Sequence, residues 1–218
     1  MSAFKLSEGL YLYPTPAGAY QAISAREADK PRRLLKNLLQ QTQTPPLTLQ
    51  YLMQLSEIDD ENKALELLHH CQKLGWVQGV DSVLDAPRGA LEDILPELLD
   101  KLTENGKVLL ADDQGFYLAC SGFPHEAAEE LSALSADLAI LHKRRSGLLI
   151  NNLGVASQAW AIIDAFGNSQ IGFWPIFIGN HSFVIAIAGI PHFNQAEFVT
   201  LVWALTIRYA GHDSLKVG

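Results

Sequence analysis

The sequence predicts an α+β protein in two parts, and three observations carry that prediction. From Pro31 to Leu74 the leucines recur at helical spacing, whereas from Val108 to Ala188 short apolar runs are separated by turn residues. Between them DAPRG, Asp85 to Gly89, combines proline, glycine and charge, which marks a boundary. The expected parts are residues 1–85 and 86–218. At 218 residues and 48 % hydrophobic composition the chain can bury a proper core.

In the first part, LYLY and AYQAI read as two short strands joined by PTPAG, whose prolines and glycine suit a turn. Pro31 to Gln41 reads as a helix that starts on a proline and directs Leu34, Leu35, Leu38 and Leu39 inward. Pro45-Pro46 separates it from a short helix over Leu47 to Leu55. Asp59 or Asp60 can cap a third helix ending near Leu74, with Gly75 as its stop. WVQGVDSVL then has a strand-turn-strand pattern. Three helices and a terminal hairpin make a winged-helix-like module.

In the second part, Ala90 to Glu104 is helical, stopped by Asn105-Gly106, with Pro96 an awkward interior residue because a proline there costs about 3 kcal/mol. Val108–Ala111 and Phe116–Cys120 make a hairpin, and a helix runs from His125 to Arg144. Strands follow over Trp160–Ala165, Ile171–Phe177 and Phe183–Ala188, then a helix over Asn194–Tyr209. Phe183–Ala188 is apolar on both faces and is expected at the sheet centre. Pro175 would prefer a strand end or an edge. The order fits a profilin-like five-stranded antiparallel sheet with three helices covering both its faces.

A formal charge of -8 opposes nonspecific attraction to nucleic acid or anionic lipid, although a local basic patch is compatible with it. No apolar run approaches the roughly 20 residues needed to span a bilayer. Met1 to Leu10 lacks the pattern of a leader, so a cytoplasmic location is expected. Cys71 and Cys120 are too few and too far apart for a disulfide framework, and read as buried thiols.

Asp112 and Asp113 head the turn in LLADDQGFYLACSG. Adjacent residues of an extended chain point to opposite faces, so the pair reads as turn chemistry with Gly115 rather than an acid and base. His69 and His70 lie about 100° apart on a helix, which is not metal-ligand spacing, and read as one partly exposed and one packed ring. His125, His142, His181, His192 and His212 show no ligand spacing either. Phosphate-loop, dinucleotide and nucleophile-elbow patterns are absent from the sequence, and Ser121-Gly122 has no recognisable base. No catalytic, cofactor or metal residue is expected. Lys143, Arg144 and Arg145 sit where cations favour a helix end.

On the helix after the hairpin, Leu131, Leu134, Leu138 and Leu141 form a bulky stripe expected to pack on the sheet. Ala128, Ser132, Ser135 and Ala139 form a small one that suits a two-fold seam.

From about Arg88 to the end, DDQGFYLACSG, AAEELSALSADLAIL and GNHSFVIAIAG, with the element order around them, resemble a Roadblock/LC7 (dynein light chain roadblock) domain. The resemblance covers about 60 % of the chain. The connector RSGLLINNLGVAS and Pro96 depart from the usual pattern. The resemblance implies a non-enzymatic protein that homodimerises by pairing the middle helix and third strand across a two-fold axis. Bacterial members often regulate or bind small Ras-like GTPases. The matching positions are the helix His125–Arg144 and the strand Trp160–Ala165, with Trp160, Ile162 and Asp164 on an edge that a monomer would leave open.

The leading expectation is therefore a cytoplasmic regulatory or scaffold homodimer with a protein partner, a small Ras-like GTPase being the best class. The competing expectation is a winged-helix DNA-binding transcriptional regulator that uses Lys30, Arg32, Arg33 and Lys36, against which stands the acidic start of the third helix, DDENKALELLHHCQK. A small-molecule sensor built on Phe173, Trp174 and Phe177 is a third reading, weaker because such aromatics usually serve the core.

Overall fold

In the computed structural model, which describes residues 5–104 and 106–210, the elements run β1 (Tyr11–Pro14), α1 (Pro16–Ile23), α2 (Lys30–Leu39), α3 (Leu49–Ser56), α4 (Glu61–Lys73), β2 (Val77–Val80), α5 (Leu91–Asp100), β3 (Val108–Asp112), β4 (Tyr117–Ser121), α6 (His125–Ser146), a π-helical turn (Gly147–Asn152), β5 (Trp160–Ile163), β6 (Ser169–Ile178), β7 (His181–Ala188) and α7 (Ala196–Tyr209). Contacts divide them into two units, Met1–Arg88 with Phe193–Gly218, and Gly89–His192. Asn105 and His212, which the sequence reading used, lie outside the described residues.

The first unit departs from the expected pattern at its start. AYQAI is not a strand. Thr15 takes an extended conformation and its Oγ1 accepts from the Gly18 N–H at 3.1 Å, while Pro16 occupies the first helical position, where its missing N–H costs nothing. A capped helix α1 therefore replaces the second strand. β1 pairs instead with β2 in an antiparallel ribbon, Tyr11 opposite Val80 and Pro14 opposite Val77. Consequently WVQGVDSVL contributes one strand rather than a hairpin of its own.

The other helices form as their caps dictate. Asp29 accepts from Arg32 N at 2.8 Å, Thr48 from Tyr51 N at 3.4 Å and Asp60 from Lys63 N at 2.9 Å. Leu34, Leu35, Leu38 and Leu39 are all buried. The closing helix α7, expected with the second half, lies in the first unit. It is apolar almost all round, which only a buried helix can be. Phe198 meets Tyr20 and Phe193, and the Trp203 indole contacts Tyr13 and donates from Nε1 to the Gln41 carbonyl at 2.8 Å.

The second unit is a five-stranded, wholly antiparallel sheet in the order β4-β3-β7-β6-β5. β7 is central, as its apolar run requires, and Phe183 through Ile187 are buried. Leu109, Phe173, Val184 and Ala186 form the face that receives α6. Cys120 packs with that face. Its neighbour Ser121 must point the other way and donates to Asp100 of α5 at 3.0 Å, which places α5 on the opposite face. The expected three helices on this sheet are thus two within the unit. Pro96 sits inside α5, yet Leu95 and Leu99 beside it are fully buried, so packing offsets the bond the proline forfeits. Pro175 lies in β6 beyond Phe173, where β5 pairing has ended and the strand keeps one neighbour, the edge condition a proline tolerates.

Candidate functional site

Two hairpins of this sheet turn on the same chemistry. In the first, Asp112 Oδ1 accepts from the N–H groups of Gln114 at 3.0 Å and Phe116 at 2.9 Å, with Gly115 at φ 89°. In the second, Asp164 Oδ1 accepts from Phe166 and Asn168, both at 2.9 Å, with Gly167 at φ 88°. Asp-x-x-Gly is therefore one turn used twice. The Asp112 carboxylate is occupied by backbone, in keeping with turn chemistry rather than acid–base work. Asp164, expected on a dimer edge, serves its own turn in the same way. Hydrogen bonds from the Asn168 backbone, the Asn168 side chain, Phe166 and Gly167 hold its carboxyl below the usual range.

Beside the second hairpin, β5 is a sheet edge with one paired neighbour, β6. Trp160 of this strand faces inward, donating from Nε1 to Nδ1 of the buried His142 on α6 at 3.3 Å with the rings edge-on. Ile162 and Ile163 remain 58 % and 60 % exposed, and Phe166 at the turn is 91 % exposed. On α6, Leu134 and Ile140 also face solvent. An open strand edge, flanked by unburied isoleucines, thus lies on the strand that His142 ties to α6.

Burial reverses the expectation for the two stripes of α6. Ala128, Ser132 and Ser135 lie wholly inside the unit, while Leu131, Leu138 and Leu141 are half-buried and Leu134 is exposed. The small residues let the helix sit close to the sheet, and both hydroxyls are satisfied within the helix. Ser132 donates to the Ala128 carbonyl at 2.7 Å and Ser135 to the Leu131 carbonyl at 2.8 Å. Of the stripe expected at a seam only Ala139, half-buried, retains access.

The basic residues of α2 are largely spent on their own chain. Arg32 donates to the carbonyls of Gln21 and Glu27, each at 2.8 Å; Arg33 pairs with Glu57 at 3.1 Å; Lys36 donates to the Arg26 carbonyl at 3.1 Å. Burial, with Arg32 and Arg26 nearby, lowers the Lys36 pKa. Arg32 and Lys36 hold the α1–α2 connection, Arg33 ties α2 to the end of α3, and Lys30 is the exposed remainder. His69 and His70 are both exposed, His70 against Trp76. Cys71 is buried, which with Asp29 pushes its thiol up to about 11, and burial also raises Cys120. Phe173 and Phe177 are core residues.

No helix among the described residues is long and apolar enough to cross a membrane. Among them, no group of three His, Cys, Asp or Glu residues is placed to hold a metal ion.

Comparison with models of known protein families finds no match, and comparison with curated proteins finds none either. Among solved structures, the chain is similar to a Roadblock/LC7 domain from Streptomyces avermitilis at 12 % identity and a TM-score of 0.36, over 59 % of this chain and all of that one. It is similar to Myxococcus xanthus MglB at 14 % identity and 0.33, over 59 % and 93 % of the two chains. It is also similar to the gliding protein MglB from Thermus thermophilus at 22 % identity and 0.34, over 58 % and 96 %.

Proposed function

We propose that this chain is a non-enzymatic, cytoplasmic regulatory or scaffold protein whose second unit pairs with a second copy through the β5 edge and the outward side of α6. The first unit, which lacks the terminal hairpin of a winged helix, recruits a protein partner, a small Ras-like GTPase. The observation that carries the pairing is the open β5 edge with Ile162 and Ile163 unburied. A sheet that ends in an apolar strand without charge or proline invites strand addition, and a two-fold copy supplies an identical strand. Relative to the seam expected from the sequence, Ile162 stays, Ala128, Ser132 and Ser135 leave it, and Leu134, Ile140 and Ile163 join it, with Trp160 behind them as support. The partner class rests on the resemblance carried by DDQGFYLACSG and GNHSFVIAIAG.

Two experiments test this. Sedimentation equilibrium of the full chain should return twice the chain mass of 23.9 kDa at micromolar concentration. Capture of purified Ras-like GTPases on the immobilised full chain, each loaded with GDP or a non-hydrolysable GTP analogue, should retain at least one in a nucleotide-dependent manner. Retention of none, in either state, would remove the partner class while leaving the dimer standing.

A further inference from the structure

The segment joining α6 to β5 is separate from the β5 edge, and its chemistry is of another kind. Between Leu138 and Ala196 the sequence holds three cations, Lys143, Arg144 and Arg145, against a single carboxylate, Asp164, which its own turn occupies. The formal charge of -8 therefore resides elsewhere in the chain. Along α6 the nearest acidic residue, Asp137, lies six positions before Lys143, about 9 Å of helix rise, comparable to the Debye length in physiological salt. The three cations are exposed and make no ion pair among the described residues.

Immediately after them the helix widens into a π turn, and Leu148, Ile150 and Leu153 stand 50 %, 51 % and 62 % exposed. Three backbone bonds nonetheless close this turn from within. Leu153 N donates to the Leu148 carbonyl at 3.1 Å, Gly154 N to Ile150 at 3.1 Å and Val155 N to Leu149 at 2.8 Å. Exposed aliphatic side chains, an internally bonded backbone and adjoining unpaired cations are the three things an interfacial lipid contact needs. The aliphatics leave water, the internally bonded peptide groups keep their partners, and the cations meet lipid phosphates.

We infer that Lys143–Val155 is a docking segment for the surface of an anionic lipid bilayer, with the three cations at the headgroups and Leu148, Ile150 and Leu153 in the interfacial layer. A second protein chain would be served by the aliphatics alone. The cations, clustered in a stretch almost emptied of carboxylates, are complementary to a negatively charged surface. Neither signal suffices by itself, since one short apolar element or one basic cluster gives marginal, reversible binding. Two copies in a pair would present the segment twice, although the inference holds for a single chain as well.

The test is flotation of the full chain with vesicles of phosphatidylcholine alone or enriched in phosphatidylglycerol. The chain should float with the phosphatidylglycerol vesicles, stay behind with the neutral ones, and detach as salt rises. The triple variant Lys143→Gln, Arg144→Gln, Arg145→Gln should weaken binding roughly a hundredfold, at about fivefold per cation. The double variant Leu148→Ser, Leu153→Ser should weaken it while leaving the salt dependence in place. All five positions are exposed, so circular dichroism should be unchanged. Equal binding to both vesicle types, or undiminished binding by the triple variant, would overturn the inference. So would failure of the unaltered chain to float with the phosphatidylglycerol vesicles, and a loss of oligomeric mass in the Leu148, Leu153 variant would then assign the segment to a protein seam. Loss of vesicle binding at unchanged oligomeric mass separates this surface from the proposed β5 pairing.

Discussion

The two Asp-x-x-Gly hairpins are near-identical in their turns and opposite in their surroundings. The first lies against α6: a Cβ at Gly115 would stand 3.4 Å from the Ala133 Cα, 3.5 Å from the Ser132 carbonyl and 3.6 Å from the Ala136 Cβ. A Cβ at Gly167 of the second would meet nothing within 4 Å among the described residues, and Phe166 beside it is almost fully exposed. One edge of the sheet is tied to α5 through Ser121 and Asp100, and the other, β5, has no further strand beside it among the described residues. Equal local chemistry with unequal packing teaches that the turn is decided by four or five residues of sequence, whereas whether it is covered is decided by what the rest of the chain brings to it.

That contrast can be broken most sharply at the two glycines. Gly115→Val should cost about 3 kcal/mol, combining the left-handed backbone with the γ carbons that extend from a Cβ already in contact with α6, while Gly167→Val should cost about 1–2 kcal/mol from the backbone alone. Urea unfolding of both variants checks the difference, and equal losses would show that α6 does not restrain the first turn.

Smaller effects follow from the link between α6 and β5. Trp160→Phe keeps an aromatic ring and removes the donor, leaving the buried His142 Nδ1 without its partner. Destabilisation of about 1 kcal/mol is expected, together with faster amide exchange over β5. Exchange confined to the global rate would contradict a separately held edge.

Smallest at neutral pH is the contribution of Asp164 protonation. Because its folded pKa is lowered, the carboxylate favours the folded turn above the unfolded value of about 3.9, and that contribution is lost as pH falls through the lower folded value. Acid titration of Asp164→Asn should therefore lack a change in the second turn that the unaltered chain shows below about pH 4. The carboxyl carbon shift followed by NMR reads it directly, and an ordinary midpoint would contradict the hydrogen bonding described.

Much of this fold is legible in the sequence because the signals are local. The Leu34–Leu39 spacing, the Asp60 cap, the Gly75 stop, the apolar run of β7 and the DDQG turn each state their own conformation. α1 escapes a sequence reading because proline, glycine and alanine together resemble a turn. The Thr15-Pro16 pair, a cap followed by a first helical residue, is the contrary signal. Which face of α6 meets the sheet is not legible. A helical pattern reveals two faces, but close approach by small residues and the internal bonding of Ser132 and Ser135 decide which is buried. The partner of α7 is likewise beyond a period that reports burial without naming the neighbour.

The central claim is that the uncovered β5 edge is where a second copy adds its strand. Light scattering coupled to size exclusion, on the full chain and on Ile162→Lys with Ile163→Lys, tests it most directly. A dimer that becomes a folded monomer on placing the two lysines is the predicted result, because charge on an edge strand repels an identical neighbour while leaving the exposed positions' own unit intact. A monomeric unaltered chain, or a dimer indifferent to both lysines, would contradict the account.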